Sequence, residues 1–363
     1  MSGDAILLAC AIVAPLVLGR LTLGFFRSRV AGRDSVPSTT LLAGNALVLL
    51  LLLASLFLGF ELYFRFVHDT TDGDALTKAS TRWFQRHWGT NNLGLRDDVD
   101  YAMKRDEDRR RITFFGDSFT AAHGVADVGD RFANRIRRER PGWEVHAIAH
   151  MGTSTQTQQV ALDTLIDRHY DLGTVVLVYC FNDIDPFIPE LEGVFRELIR
   201  APPWLLTPLV EHSYFANAAF YYWKVTNSAS AAAGADYFTL VEKAYLGPAW
   251  ATEKRLLRDF QQTVESHGGR LLVVTFPMLL RLGRGEDEDH VMHPKLDAFW
   301  RAQGVPHLDL LPLLREHRGR QLVVSRFDDH PSAFAHGLAA EAILSFLEAH
   351  AGPPDETREP AAP

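Results

Sequence analysis

Two long apolar segments near the amino terminus constrain the fold of this chain more than any other feature of its sequence. Residues 5–26 are interrupted only by Arg20 and a few small or polar residues, and residues 41–60 contain only two polar side chains. At about 1.5 Å per residue, helices of these lengths cross a hydrocarbon core of roughly 30 Å. We therefore predict a two-helix membrane anchor over residues 1–66; a buried globular hairpin is the alternative.

The charges around these segments predict their orientation. The short loop between them, residues 27–33, carries three arginines, which the positive-inside rule keeps in the cytoplasm. A cleaved signal peptide would begin with a basic region, whereas this chain opens Met-Ser-Gly-Asp and continues into a second span. We therefore expect a two-pass protein of the cytoplasmic membrane, with the lipid bilayer as one partner and the rest of the chain periplasmic or extracellular.

Composition limits the possible classes of protein. The 363 residues are 47% hydrophobic and 23% charged, which is enough apolar material for a large core and excludes general disorder. The 37 basic residues are outnumbered by 45 acidic ones and are nowhere concentrated. Because phosphate backbones are bound by concentrated positive charge, we expect no nucleic-acid partner.

The alternation of apolar runs and helical periodicity predicts an α/β fold. The strands are expected at 112–115, 145–149, 175–181, 270–276 and 305–310, and the main helices at 156–169, 250–267 and 335–350. The run VVLVYCF at 175–181 is typical of a strand buried on both faces. These elements predict a three-layer sandwich with a central, mainly parallel sheet, preceded by the two transmembrane helices.

The same pattern suggests domain boundaries. Residues 67–111 are expected to form a stalk and linker, solvated from residue 97 onward because that run is almost all charged. The α/β domain follows at 112–351. Prolines and an aromatic cluster break its pattern at 184–247, which we interpret as an inserted cap. The Pro-rich acidic tail, 352–363, is expected to be disordered.

Ser118 is a candidate nucleophile. It follows Gly116-Asp117 at the end of a predicted strand and opens a helix, a setting that exposes its hydroxyl and its backbone N–H. An ordinary turn with a helix cap explains the same tripeptide.

A histidine with two neighbouring carboxylates stands just ahead of the last helix. In an extended segment residues i and i+2 project to the same side, so Asp328 is better placed than Asp329 to hold the imidazole of His330. The alternative is a capping turn with a solvated histidine. An early serine and a late Asp-His pair would supply nucleophile, base and orienting acid if the sheet brings their loops together.

Two further residues follow predicted strands and are suited to bind a developing oxyanion. Asn182 comes directly after 175–181 and carries an amide donor, and Gly152 follows 145–149 with a backbone N–H. Turn formation after a strand is the alternative explanation for both.

Taken in order, GDSFT at 116–120, Gly152, FND at 181–183 and DDHPS at 328–332 resemble the four blocks of the SGNH (GDSL) hydrolase family. The joint match spans about 250 residues, from Ile112 to His350, and is much more specific than any single block.

This resemblance implies a role for each matching residue. Ser118 would be the nucleophile and an oxyanion donor through its N–H, Gly152 and Asn182 would complete the oxyanion hole, and His330 would be the general base. The family more often has Asp-x-x-His, but Phe327 occupies that position here, which leaves Asp328 as the candidate acid and Asp329 as its rival. Cys180 stands where the family's third block usually has glycine.

The stretch Asn92–Arg96, behind the membrane spans, also resembles membrane-anchored SGNH proteins associated with bacterial cell-surface polysaccharides. The resemblance implies a serine esterase that acts through an acyl-enzyme on an ester-bearing, O-acetylated carbohydrate, without cofactor or metal. Two alternatives stay open. One is an O-acetyltransferase of a cell-surface polysaccharide that uses the same triad, and the other is a catalytically silent polysaccharide-binding protein.

Overall fold

The computed structural model of the chain describes residues 2–227, 237–284, 291–317 and 320–350. The predicted tail, 352–363, lies outside these residues, as does part of the predicted cap. The described α-helices are α1 Gly3–Arg29, α2 Ser38–Leu62, α3 Lys78–His87, α4 Ser118–Ala121, α5 Phe132–Glu139, α6 Thr155–Asp167, α7 Pro189–Ile199, α8 Thr207–His212, α9 Tyr214–Asn227, α10 Tyr237–Leu246, α11 Pro248–Ser266, α12 Leu279–Arg284, α13 Met292–Gln303, α14 Leu311–Leu314 and α15 Ala333–His350. The strands are β1 Arg110–Gly116, β2 Trp143–Ala149, β3 Thr174–Cys180, β4 Arg270–Phe276, β5 His307–Asp309, β6 Val323–Ser325 and β7 Asp328–Pro331.

Five of the strands form one sheet in the order β2-β1-β3-β4-β5, and every pair is parallel. The two remaining strands, β6 and β7, form a separate antiparallel pair. The predicted fold class is confirmed: a central parallel sheet lies in an α/β sandwich, after two apolar helices long enough to cross a membrane. The β6–β7 pair was not expected.

Alternation along β3 divides the core into the layers of the sandwich. Val175, Leu177 and Tyr179 face one apolar cluster, to which α6, α11 and α13 contribute. Their neighbours Val176, Val178 and Cys180 face a second cluster, with α5 and α15. Since successive side chains of a strand point to opposite faces, a strand that is apolar at every position must be covered on both sides.

The described chain divides into two compact units. One comprises the described residues of 1–70, 75–83 and 196–229, and the other those of 71–74, 84–195 and 230–363. The predicted cap, 184–247, is therefore shared between them, because its middle part belongs to the unit of α1 and α2. In that unit the ring of Phe215 in α9 stacks on Phe60 of α2, with ring centroids 4.9 Å apart.

Eight of the fifteen residues 97–111 are exposed, in keeping with the predicted solvated linker, but three residues of this run are buried. Asp97, Tyr101 and Arg111 are all buried, with exposed fractions of 5%, 1% and 0%. Arg111 donates to Glu144 and to the carbonyl oxygen of Met103. Charge alone predicts exposure, but charges that are paired and hydrogen-bonded can be buried.

Candidate active site

The order of the sheet brings three predicted site residues to one edge. Strand β1 lies between β2 and β3, so the carboxyl ends of these three parallel strands are neighbours. Ser118 comes two residues after β1, Gly152 three after β2 and Asn182 two after β3. Open parallel sheets bind ligands at this edge, because the loops that leave it converge there.

The turn that presents Ser118 is built from its neighbours. Asp117 caps α4 by accepting a hydrogen bond of 2.9 Å from the backbone N–H of Phe119. A Cβ atom at Gly116 would lie 2.1 Å from Oγ1 of Thr120, so only glycine allows this close passage from strand to helix. The result is a serine at the first position of α4 whose exposed fraction is 6%.

Asp328 and His330 lie in β7, where the extended backbone turns both side chains to the same side. Nδ1 of His330 is 2.7 Å from Oδ1 of Asp328, and Nε2 of His330 is 2.8 Å from Oγ of Ser118. The His330 backbone N–H also donates to the same Asp328 oxygen, at 3.1 Å. Asp329 stands between the two and therefore points to the opposite side of the strand. The structure thus joins serine, histidine and Asp328 in one hydrogen-bonded chain.

The second carboxylate oxygen of Asp328 has partners that the sequence did not indicate. The Thr71 hydroxyl donates to Oδ2, and Nε2 of His123 lies 3.5 Å from the same atom. His123 Nε2 is also 3.1 Å from the carbonyl oxygen of Asp72. Thr71 falls in the predicted stalk and His123 lies outside the four sequence blocks, so only the tertiary fold reveals their positions.

Burial and the charges within this cluster give Asp328, His330 and His123 different pKa values. Burial raises the pKa of Asp328, but the charge and hydrogen bond of His330, with His123 and Thr71, outweigh it and bring the pKa to about 2. Burial lowers the pKa of His330, yet the Asp328 carboxylate, assisted by Asp329, raises it to about 9. The pKa of His123 falls to about 3, because of burial and the charge of His330. Asp328 is therefore ionised and His123 neutral across the physiological range.

Asn182 and Gly152, the two residues predicted to complete an oxyanion hole, follow the strands on either side of β1, and neighbouring hydrogen bonds hold the segments around them. The Asn182 amide donates one hydrogen bond of 3.0 Å to Oδ2 of Asp117, and an amide nitrogen carries two hydrogens. Gly152 has a positive φ of 67°, and nothing lies within 4 Å of where its Cβ would be. Thr153, the next residue, donates to the carbonyl oxygen of Gly116 at 3.3 Å, which ties this loop to the end of β1.

Cys180, at the glycine position of the third block, belongs to the core. It is 2% exposed, and burial together with Asp117 and Asp183 raises the pKa of its thiol well above the ordinary range. A protonated, buried thiol is a poor nucleophile, so Ser118 is the better candidate.

Three donor groups in the site are close enough to be considered for a metal ion. One ligand atom each from His123, Asp328 and His330 lies within 4.8 Å of the others. The hydrogen bonds described above account for this proximity, since His330 engages Asp328 through one ring nitrogen and Ser118 through the other. A metal on His330 would have to replace one of these two bonds.

Arg96, in the stretch Asn92–Arg96, supports the loop after α4. Its guanidinium donates to the carbonyl oxygens of Ala121 and Ala122 and to that of Val125, and it lies 4.7 Å from the ring centroid of Trp88. The side chain is fully buried. Arg96 therefore fixes the backbone that follows the candidate nucleophile.

Asp97 joins the same region to α5. Its carboxylate accepts hydrogen bonds from Arg131 at 2.6 Å, from Arg137 at 2.7 and 2.9 Å, and from the amide of Asn134 at 3.0 Å. The Tyr101 hydroxyl also donates to it. Two guanidinium groups thus pair with one buried carboxylate.

The fold and the site together define a class: an α/β protein whose parallel sheet presents a hydrogen-bonded Ser-His-Asp chain at its carboxyl edge. No protein-family model matches the sequence, and no curated protein matches it significantly. In three dimensions the chain is similar to solved structures of the GDSL (SGNH) lipase and acylhydrolase type.

Three of these similar structures illustrate the likeness. A member of the lipolytic G-D-S-L family from Veillonella parvula is 14% identical, with 65% of this chain and 97% of that chain covered and a TM-score of 0.40. The lipase/acylhydrolase from Enterococcus faecalis is 14% identical, with coverages of 66% and 96% and a TM-score of 0.38. The acetyl xylan esterase AlAXEase is 11% identical, with coverages of 65% and 98% and a TM-score of 0.39.

Proposed function

We propose that this protein is a serine hydrolase of the SGNH type that cleaves carboxylic esters. One observation carries the proposal: Ser118, His330 and Asp328 form a continuous hydrogen-bonded chain, with 2.8 Å from Oγ to Nε2 and 2.7 Å from Nδ1 to Oδ1. A serine hydroxyl is a weak nucleophile until a base accepts its proton, and this geometry supplies that base already oriented.

The proposed reaction proceeds through an acyl-enzyme. Oγ of Ser118 attacks the ester carbonyl carbon while Nε2 of His330 takes the hydroxyl proton. His330 then gives this proton to the departing alkoxide, and the acyl group stays on the serine. Water, deprotonated by His330, releases the acid and restores the serine. Asp328 remains ionised throughout and stabilises the imidazolium, which is consistent with its low pKa.

The negative charge that develops on the carbonyl oxygen needs donors. We assign this role to the backbone N–H groups of Ser118 and Gly152 and to the Asn182 amide. These three residues lie just after the carboxyl ends of three neighbouring strands. The hydrogen bond from Asn182 to Asp117 restricts the rotation of the amide, so the donor is held in place before the reaction.

We also propose that α1 and α2 anchor the protein in the cytoplasmic membrane, with the rest outside. The most apolar 18 residues within 3–29 and within 38–67 have mean hydropathies of 2.3 and 2.5, and only 11% and 6% of them are buried. A helix in the core of a soluble protein would be mostly buried. Three arginines between the spans favour a cytoplasmic loop.

The finer substrate proposal is an O-acetylated carbohydrate of the cell surface. It rests on the Asn92–Arg96 stretch, whose Arg96 organises the loop behind Ser118. An external catalytic domain would meet such esters rather than cytoplasmic metabolites. Transfer of the acyl group to a sugar hydroxyl would use the same residues, with the acceptor in place of water.

The test is labelling and kinetics on the full chain in detergent. A fluorophosphonate probe should label the native protein and not Ser118→Ala, and only the native protein should hydrolyse p-nitrophenyl acetate. An unlabelled Ser118 in a folded protein would favour the binding-protein alternative. Adding sugar acceptors to the assay separates an esterase from a transferase, because only a transferase forms acylated sugar.

The proposed topology has its own test. Alkaline phosphatase fused after Pro363 should be active if that end of the chain lies outside the cytoplasm.

A further inference from the structure

A short run in the unit of α1 and α2 exposes an unusual concentration of apolar side chains. Between α7 and the end of α8, Trp204 is 81% exposed and Leu205 70% exposed, and Ile199, Leu206 and Leu209 are exposed as well. Single exposed apolar residues are common on soluble proteins, but a contiguous patch usually marks an interaction surface. We call residues 199–209 the apolar loop.

Hydrogen bonds hold the apolar loop in a defined conformation. Lys224 of α9 donates to the carbonyl oxygens of Glu197, at 2.7 Å, Leu198, at 3.1 Å, and Arg200. Within the loop, the Thr207 hydroxyl lies 3.3 and 3.2 Å from the carbonyl oxygens of Pro202 and Pro203. The two prolines also restrict the backbone. The apolar side chains are therefore displayed on a fixed support.

The same unit places α8 at one end of the apolar hairpin. Helices α1 and α2 pack together through a short connection, so the start of α1 and the end of α2 lie at the same end. The ring of His212, the last residue of α8, is 3.1 Å from Asp4 near the start of α1. Arg65, just after α2, donates to the His212 carbonyl oxygen at 3.0 Å.

This end of the hairpin has the polarity of a membrane–water interface. Glu61 is buried and accepts hydrogen bonds from the Ser213 hydroxyl at 2.6 Å and from the backbone N–H of Phe215 at 3.1 Å. It also pairs with Arg65 at 2.6 Å. Asp4 and Glu61 thus mark the level at which the apolar spans give way to polar contacts, and the apolar loop is attached at that level.

We propose that the apolar loop inserts into the lipid leaflet at this end of α1 and α2, as a third membrane contact. The occupant of the patch is the bilayer itself: Trp204 would lie at headgroup depth and Leu205 and Leu206 among the upper acyl carbons. Tryptophan is enriched at this depth, and short apolar elements bind there without spanning. The inference rests on the proposed anchoring by α1 and α2.

The test uses the full chain in phosphatidylcholine nanodiscs whose acyl chains carry bromine near the headgroup. Bromine quenches tryptophan only at short range. We expect the brominated nanodiscs to quench the tryptophan fluorescence of the native chain more than unbrominated nanodiscs do. Trp204→Phe should largely remove this extra quenching. The matched variant Trp143→Phe, which changes a strand residue of the other unit, should retain it. Acrylamide in the aqueous phase should quench Trp204 weakly.

Two outcomes would overturn the inference, and they differ. Equal bromine quenching in both variants, with Trp204 fully accessible to acrylamide, would mean that the loop stays in water and is better suited to a protein partner. A chain that remains soluble without detergent and does not enter nanodiscs would refute the anchoring itself, and the loop contact with it.

Discussion

The imidazole rings of His123 and His330 are stacked face to face, with centroids 4.0 Å apart and planes 2° from parallel. His123 thus touches His330 through its ring face and Asp328 through Nε2, at 3.5 Å from Oδ2. A neutral ring in this position covers the base and helps to orient the acid, although it does not reach Ser118 by any hydrogen bond described.

We expect His123→Ala to lower kcat by up to roughly 10-fold with little change in KM, since it removes the ring stacked on His330 and a stacked aromatic pair contributes about 0.5–1.5 kcal/mol. His123→Phe keeps a flat ring but loses the donor, so it should recover only part of the loss. Steady-state kinetics on p-nitrophenyl acetate measures both. If the two variants match the native kcat, His123 only fills space.

The pH dependence should follow the raised pKa of His330. The neutral imidazole is the base, and its pKa of about 9 means that the protonated form dominates below that pH. We therefore expect kcat/KM to rise with pH up to the region of pH 9, because this ratio reports the free enzyme. Asp328→Asn removes the main cause of the shift and should move the rise to lower pH. A native rise that ends below pH 6.5 would contradict this.

Asp328 and Asp329 provide a matched pair of variants. Asp328→Ala should lower kcat on the order of a thousandfold or more, since an orienting carboxylate of a serine triad has an effect of this size. Asp329→Ala should have a much smaller effect, because Asp329 points to the other side of β7. Activity and thermal melting of both variants decide the question. Greater damage from the Asp329 variant would mean that Asp329 is the true acid.

Asn182 tests the oxyanion hole separately from the triad. Its amide is proposed to donate to the tetrahedral oxygen, so Asn182→Ala should lower kcat about a hundredfold, or about 3 kcal/mol, with KM little changed. Asn182→Asp should be at least as damaging, since it places an acceptor beside the developing charge. Circular dichroism confirms folding. A folded Ala variant with normal kcat would leave Asn182 as a turn residue held by Asp117.

The Asp97 cluster should control acid stability. Burial raises the pKa of this carboxyl, but hydrogen bonds from Arg137 and the charge of Arg131 hold it far below its ordinary value of 3.8. A depressed pKa contributes stability that is fully present above pH 3.8 and is lost as the pH falls below it.

Asp97→Ala should accordingly destabilise the protein by about 3–5 kcal/mol at pH 7, because it leaves buried guanidinium groups without their partner. Urea unfolding between pH 3 and 7 measures this. Asp97→Asn is the control, since it keeps hydrogen-bonding capacity but removes the charge. Native stability that is unchanged between pH 5 and 3 would contradict the proposed coupling.

The sequence predicted the sheet well for a physical reason. After Thr174 every position of strand β3 is apolar, a pattern typical of a strand that is covered on both faces. Its predicted range, 175–181, differs from the observed Thr174–Cys180 by one residue at each end. The i, i+2 spacing of Asp328 and His330 likewise depends only on local extended geometry. Local periodicity therefore indicated both that β3 lies in the middle layer of the sandwich and that Asp328 pairs with His330.

Contacts between distant segments could not be predicted in this way. Asp97 is buried only because Arg131 and Arg137, more than thirty residues later, neutralise it. Thr71 reaches Asp328 across 257 residues of sequence. A single sequence does not indicate which charges will pair, so it assigns such residues to the surface.

The interleaving of the two compact units affects how such a chain can be recombined or dissected. A cut at residue 70 would remove α1 and α2 but retain residues 196–229, where Ser213 and Phe215 would lose Glu61 and Phe60. To replace the anchor by that of another protein, two stretches of sequence would have to be exchanged together: the one before β3 that contains α1 and α2, and residues 196–229 after β3. Fusion of a tether at a single joint would supply only one of these two stretches of sequence.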